Sequence, residues 1–263
     1  MSGVDREPLD TIPTDEVPLL GGNVSTVVRS GHTVRRSTGL WTPAVHAWLR
    51  HLEAVGFDGA PRALGIDEQG REILTYFDGD VFPYPMPDYV WSDDTLASVA
   101  GFTRRLHDAA ATFVPPPDAA WRRQAGAPPG PVICHNDIAP YNTVFRKGRV
   151  AGFIDWDFSA PGPGEWDLAW IAWHYVPLYE MDGPPLDRPR RLRLLADEYG
   201  LPSREALLPT IAERQRCCIR TYDEFSAAGD PAFIKMVEEG HRDGVQNSLN
   251  WLQEHWEELA RAL

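Results

Sequence analysis

Polar and apolar residues alternate in short runs over the first quarter of the chain, which is typical of half-buried β-strands. Between the third and fourth runs, Thr42-Pro43 begins a stretch whose apolar residues share one helical face, and Gly56 ends it. The pattern therefore predicts the order β-β-β-α-β-β. The β-prone runs lie at 17–20, 24–29, 32–36, 63–66 and 72–77.

Helical spacing dominates the chain after Ser92 and is interrupted by one compact β segment. We predict an α+β, bilobal fold with an acidic flexible tail at 1–16, a small antiparallel-sheet N-lobe at 17–77 and a larger, mostly helical C-lobe at 78–263. Ligands commonly bind between two such lobes. The β segment lies at 132–154, and helices are predicted at 165–175, 188–199, 204–228 and 231–263.

Composition narrows the functional classes. The 263 residues include 43% hydrophobic residues, and 38 acidic against 25 basic residues give a formal charge of −13. This balance excludes a disordered chain and disfavours nucleic-acid and membrane partners, since both are anionic. The N-terminus is acidic and no long apolar run occurs, so we expect a cytoplasmic protein. Three cysteines with no C-x-x-C spacing predict neither a disulfide framework nor a zinc site.

The negative charge is concentrated at the two ends of the chain. Residues 1–20 hold 5 acidic and 1 basic residue, and residues 223–263 hold 9 acidic and 3 basic residues. The acidity favours a cationic substrate only if the last helices line the cleft.

The strongest chemical signal lies within 132–157. Two apolar strands joined by a basic Gly turn are flanked by Asp137, Asn142 and Asp155, so a hairpin brings these oxygen-bearing side chains to one end. Phosphoryl transfer needs such a set, with oxygen ligands for Mg²⁺ and one carboxylate free to deprotonate a hydroxyl. The five-residue step from Asp137 to Asn142 matches the kinase arrangement. We predict Asp137 as the catalytic base, Asn142 and Asp155 as metal ligands, and Asp157 as a further ligand or a loop cap.

These motifs resemble those of the aminoglycoside phosphotransferase and choline kinase superfamily. The likeness covers about residues 17–178, and its motifs are His135-Asn136-Asp137 followed by Asn142, then Ile154-Asp155-Trp156-Asp157, and finally Trp166-Asp167-Leu168-Ala169. It implies a protein-kinase-like fold, Mg²⁺, and ATP or GTP as co-substrate. By the same likeness, His135 and Asp167 support the site structurally.

The resemblance also assigns a nucleotide site. Gly21, Gly22, Asn23 and Ser25 stand where the family covers the phosphates, and Tyr76 and Phe77 stand at the hinge beside the adenine.

The chain departs from the family pattern at the phosphate-binding lysine, because no lysine precedes Lys147. That role falls to Arg35 or Arg36 on the third strand, or is absent, and Arg35 is preferred. His46 stands where the helix glutamate of the family is expected, and Asn136 stands in place of the usual glycine.

We therefore expect a Mg²⁺-dependent small-molecule kinase that phosphorylates a hydroxyl of a cationic substrate such as an aminoglycoside, with antibiotic resistance as its context. The substrate-binding residues are unknown, and the protein is a monomer or homodimer. The alternative is a degraded kinase fold that binds a small molecule or partner without transfer. A third hypothesis, a metal hydrolase centre, is weaker because it gives no role to Asn142 or to the front β lobe. The segment between Asp155 and Asp167 is too short for a protein-kinase activation segment.

Overall fold

The computed structural model describes residues 16–19, 27–182 and 185–263. In these ranges the chain forms nine strands and eight helices in an α+β arrangement. The strands are β1 (Glu16–Leu19), β2 (Val27–Ser30), β3 (Thr33–Arg36), β4 (Ala63–Ile66), β5 (Glu72–Thr75), β6 (Val132–Cys134), β7 (Thr143–Arg146), β8 (Arg149–Phe153) and β9 (Ala160–Gly162). The helices are α1 (Thr42–Ala54), α2 (Asp93–Ala109), α3 (Gly164–Tyr175), α4 (Arg188–Tyr199), α5 (Leu207–Ala227), α6 (Pro231–Glu238), α7 (His241–Glu254) and α8 (Trp256–Ala260).

The N-lobe contains an antiparallel sheet in the order β1-β2-β3-β5-β4, with α1 after its third strand. The predicted order β-β-β-α-β-β is therefore present. Helix α1 buries the face that its spacing predicts, with Trp48 and Leu52 inaccessible to solvent. The predicted turn at Gly21-Gly22-Asn23 lies outside the described residues.

The C-lobe is mostly helical, as predicted, and contains the β7–β8 hairpin and a two-stranded sheet of β6 and β9. Ser92 accepts a hydrogen bond from the Thr95 amide and caps α2, whose apolar face packs against α4. Helices α3, α5 and α7 form the adjacent layers. Both lobes contribute to one hydrophobic core, since Trp48 of α1 lies 4.9 Å from the Phe113 ring just after α2. Within the described residues, every helix is too short or too polar to cross a bilayer.

Two sequence predictions of local structure were wrong. The single helix predicted over 231–263 is three helices, because Gly240 adopts a left-handed conformation (φ 84°) that ends α6, and a second break at His255 separates α7 from α8. The loop predicted after Asp157 contains β9, which pairs antiparallel with β6. That pairing joins segments separated by 25 residues along the chain, on either side of the β7–β8 hairpin, so it depends on tertiary contacts that periodicity does not reveal.

A close backbone approach ties β8 to the turn after α1. The Phe153 amide donates to the Gly59 carbonyl at 2.9 Å, and a β-carbon at Gly152 would overlap Gly59. Gly101, in α2, has open space around its missing side chain.

We predict that Gly152→Ala lowers the free energy of unfolding by about 1–3 kcal/mol, because the backbone must move to admit a methyl group. Gly101→Ala is the matched control and should raise it by about 0.5–1 kcal/mol, since alanine favours a helix. Chemical denaturation followed by circular dichroism measures both. Equal stability of the two variants would contradict this packing.

Candidate active site

The hairpin of β7 and β8 brings the predicted metal ligands together. Lys147 and Gly148 both have positive φ, which is the geometry of a tight two-residue hairpin turn. The register places Thr143 opposite Phe153, and the Ile154 amide donates to the Asn142 carbonyl at 2.9 Å. Asn142 and Asp155 therefore lie side by side at the open end of the hairpin.

Asp137 lies beside Asn142 and is half-buried in the cleft. One carboxylate oxygen accepts from Asn142 Nδ2 at 2.7 Å, and the other accepts from the Tyr141 hydroxyl at 3.3 Å. Burial, followed by the negative charge of Asp155, raises the pKa of Asp137 well above its usual value. The carboxylate is consequently more basic than a free aspartate, as a proton acceptor requires.

The loop before Asp137 is fixed from below by the buried carboxylate of Asp167. Its two oxygens accept from the His135 amide at 2.8 Å and the Asn136 amide at 2.7 Å. Burial alone would raise the pKa of Asp167, but hydrogen bonds led by His107 outweigh burial and hold the pKa low. Asn136 adopts a left-handed conformation (φ 67°), which explains why this position takes glycine or asparagine.

His135 is a support residue in this geometry. Its Nδ1 accepts from the Asp137 amide at 3.2 Å, and its ring packs 4.4 Å from that of Trp156. Complete burial lowers the pKa of His135 to about 4, so the ring is neutral at physiological pH.

Three further side chains hold this loop. His107 bridges Asp167 at 3.0 Å and the Tyr199 hydroxyl at 2.8 Å. Arg214, fully buried on α5, donates to the Asn136 carbonyl at 2.6 Å and stacks over Trp170. Sequence reasoning missed all three residues. A charged residue inside the apolar face of α5 was the available signal for Arg214.

Arg36 crosses the cleft from the N-lobe and contacts three carboxylates. Its Nη1 lies 3.1 Å from Asp155 Oδ1, and its Nη2 and Nε pair with Asp157 and Glu72. Burial alone would lower the pKa of Arg36, but the three negative charges raise it above its ordinary value. The guanidinium therefore remains charged inside the protein.

Glu72 anchors Arg36 within the sheet. Arg36 and Glu72 are direct partners in the register of β3 and β5, and Glu72 also lies 2.9 Å from His46 Nε2 on α1. Burial would raise the pKa of Glu72, but His46 and Arg36 together hold it below its usual value. His46 thus occupies the expected helix position but contacts a glutamate on a strand.

Arg35 points to the opposite face of the sheet from Arg36, as residues alternate along a strand. Its Nε lies 3.7 Å from Asp67, and it lines a surface pocket of about 330 Å³ with Arg71 and Gln69. Arg35, the residue preferred from the sequence, therefore lies away from Asp155. Its predicted contact with nucleotide stays a prediction.

The remaining predicted nucleotide residues divide into two groups. Tyr76 and Phe77 lie at the connection between lobes, where the Tyr76 amide donates to the His32 carbonyl at 2.8 Å and Arg146 covers the Phe77 ring at 5.1 Å. The second group, Gly21, Gly22, Asn23 and Ser25, lies outside the described residues.

The oxygen atoms that Asn142 and Asp155 offer as ligands suit a hard divalent cation. The Asn142 amide nitrogen bonds to Asp137, which leaves the amide oxygen to face a ligand, and the Asp155 side chain is 45% exposed. Carboxylate and amide oxygens are the ligands that Mg²⁺ prefers. Asp155 also adopts a left-handed conformation (φ 62°), a strained geometry that is frequent at functional sites.

Some acidic residues of the last helices form ion pairs with basic residues of these helices. Asp223 pairs with Arg242 at 2.6 Å, and Lys235 lies 3.7 Å from Glu239. Beside Asp137, the ring of Tyr141 lies 6.4 Å from that of Tyr84.

Comparison with known proteins identifies related sequences. The model of the phosphotransferase enzyme family matches residues 117–209, which include Asp137, Asn142, Asp155 and Asp167. The trifolitoxin immunity protein of Rhizobium leguminosarum bv. trifolii is 40% identical over 199 residues, which span 71% of this chain and 75% of that protein.

Solved structures share the fold at low sequence identity. An amicoumacin kinase superposes with a TM-score of 0.63 at 9% identity and covers 87% of this chain and 89% of its own. A choline/ethanolamine kinase family protein from Mesorhizobium loti gives 0.58 at 16% identity, with 92% and 93% covered. An ADP-bound aminoglycoside phosphotransferase gives 0.56 at 13% identity, with 91% and 94% covered. These likenesses confirm the predicted protein-kinase-like fold. The chain belongs to the phosphotransferase enzyme family, and it is a phosphotransferase of the class that uses an alcohol group as acceptor.

Proposed function

We propose that the protein is a Mg²⁺-dependent small-molecule kinase that transfers the γ-phosphate of a nucleoside triphosphate to a hydroxyl group. The observation that carries this proposal is the convergence of Asp137, Asn142 and Asp155 at the open end of one hairpin. Asn142 and Asp155 would hold the metal. When bound, Mg²⁺ neutralises phosphate charge and helps to align the phosphates.

Asp137 acts as the base in this proposal. A substrate hydroxyl donates a hydrogen bond to its carboxylate, the hydroxyl oxygen forms a bond to the γ-phosphorus, and the bond to the nucleoside diphosphate breaks. The hydroxyl proton passes to Asp137, whose raised pKa favours its acceptance. Tyr141 and Asn142 keep the carboxylate oriented, since they occupy both of its oxygens from one side.

Arg36 takes the place of the strand lysine of other kinases in this proposal. Its guanidinium is fixed beside Asp155, where nucleotide phosphates would meet the metal, and a guanidinium can bind two phosphate oxygens. Gly21, Gly22, Asn23 and Ser25 are proposed to cover the phosphates, with Tyr76 and Phe77 beside the base. Either ATP or GTP fits these assignments. In this proposal the Arg36 and Glu72 ion pair does the work of the lysine and glutamate pair of other kinases, which argues against a degraded kinase.

The proposed acceptor is a hydroxylated antibiotic or toxin. The relative at 40% identity is an immunity protein against trifolitoxin, and the related structures include kinases of amicoumacin and aminoglycosides. A cationic aminoglycoside remains a candidate from the family. The acidic last helices give it little support, because Asp223 and Glu239 form local ion pairs.

Asp137→Asn is expected to lower kcat by about 10²- to 10⁴-fold, because the amide cannot accept the hydroxyl proton. Nucleotide affinity should change by less than about threefold, below 1 kcal/mol. A coupled assay of nucleotide consumption and a titration with a non-hydrolysable nucleotide measure the two effects. Near-normal turnover in this variant would rule out Asp137 as the base.

Arg36→Gln is expected to weaken nucleotide binding by about 10- to 100-fold, since a charge-assisted hydrogen bond is worth about 1.5–3 kcal/mol. Arg36→Lys keeps the positive charge, and its nucleotide affinity should lie between those of the wild type and Arg36→Gln. Arg35→Gln, the neighbour on the opposite face, is the matched control and should bind nucleotide normally. The reverse ranking in fluorescent-nucleotide titrations would assign the phosphate contact to Arg35. Calorimetry verifies that each variant is folded.

A panel of acceptors tests the substrate class. Trifolitoxin, aminoglycosides, other cationic antibiotics, choline and amino sugars are incubated with ATP or GTP, and Asp137→Asn serves as the blank. At least one antibiotic or toxin should consume nucleotide with wild type only. Consumption with choline alone would contradict the proposed antibiotic or toxin acceptor.

A further inference from the structure

The two aspartates after β8 differ in their access to the cleft. The side chain of Asp155 is 45% exposed, whereas that of Asp157 is only 14% exposed. A hydrated Mg²⁺ ion keeps several water ligands and needs an open approach. Asp155 offers that approach, and Asp157 does not.

Protein groups already surround Asp157. Arg36 Nη2 pairs with one of its carboxylate oxygens, and the Trp41 side chain donates a hydrogen bond to it. Both partners come from the N-lobe, so Asp157 receives its contacts from across the cleft. Asp155, by contrast, has one contact with Arg36, at 3.1 Å.

The three nitrogens of the Arg36 guanidinium are divided among three carboxylates. Nε binds Glu72 on the neighbouring strand, Nη2 binds Asp157, and Nη1 reaches Asp155. Contacts at Nε and Nη2 hold the planar group along one edge. Nη1, beside the exposed aspartate, is the nitrogen nearest to the open cleft.

We propose that Asp157 is a positioning residue rather than a metal ligand, and that Asp157 and Glu72 together hold Arg36 for contact with a nucleotide phosphate. The metal donors of this chain are then Asn142 and Asp155. This assignment rests on the proposed function and refines its metal site.

The charges at this point favour keeping Arg36 in place. Arg36 contributes one positive charge against three negative charges from Glu72, Asp155 and Asp157. If Asp157 were also a ligand, its oxygens would have to release Arg36, whose charge would then face the metal.

Mn²⁺ titration followed by electron paramagnetic resonance tests the assignment, because it counts bound metal without requiring turnover. The full chain is titrated with and without a non-hydrolysable nucleotide. Asp157→Asn should keep one Mn²⁺ site, with a Kd within about threefold of wild type, and should weaken nucleotide binding about tenfold. Asp155→Asn is the matched control and should weaken Mn²⁺ binding at least about tenfold.

Loss of Mn²⁺ binding in Asp157→Asn to the extent seen in Asp155→Asn would overturn the proposal. Unchanged nucleotide affinity in Asp157→Asn would also overturn it. If wild type binds no Mn²⁺ with nucleotide, the proposed kinase function itself fails, which is a separate outcome. Calorimetry establishes folding, and Asp157→Ser replaces the asparagine variant if the latter does not fold.

Discussion

Repulsion among acidic side chains is the constraint that shapes the cleft. Glu72 of the N-lobe and Asp155 and Asp157 of the C-lobe converge on one point, and the two of them that are mostly buried, Glu72 and Asp157, are tolerated only with a compensating cation. Arg36 supplies that cation from the N-lobe, so the same ion pairs that neutralise the site also join the two lobes. Removal of one partner from such a cluster leaves unpaired buried charge, which typically costs about 3–5 kcal/mol. Stability and site geometry therefore depend on the same side chains.

A second buried carboxylate fixes the opposite side of the site. Asp167 receives two backbone amides of the loop before Asp137, and His107 extends this contact to Tyr199. The loop, α2 and α4 are thereby connected to one carboxylate on α3. The proposed base, Asp137, is thereby held by C-lobe contacts, while Arg36 enters the cleft from the N-lobe.

The sequence predicted the features that depend on neighbours along the chain. The N-lobe strands and α1 follow from apolar periodicity, and the five-residue step from Asp137 to Asn142, with the hairpin after it, predicted that Asp137, Asn142 and Asp155 lie together. Arg36 was not preferred over Arg35 as the phosphate-binding residue. Alternation along the strand predicts that the two side chains lie on opposite faces of the sheet, but it does not predict which face borders the cleft. Glu72, His107 and Arg214 act through contacts with residues distant in sequence. No local pattern encodes such contacts, and the break at Gly240 was likewise hidden by continuous helical periodicity.

A crystal structure with a non-hydrolysable nucleotide and Mn²⁺ tests the cleft arrangement most directly, because anomalous scattering locates the metal. We expect one metal peak bound by Asn142 and Asp155, with Arg36 bonded to Glu72 and Asp157 and its remaining nitrogen on a phosphate. A metal bound between Asp155 and Asp157, with Arg36 displaced from the cleft, would contradict this arrangement.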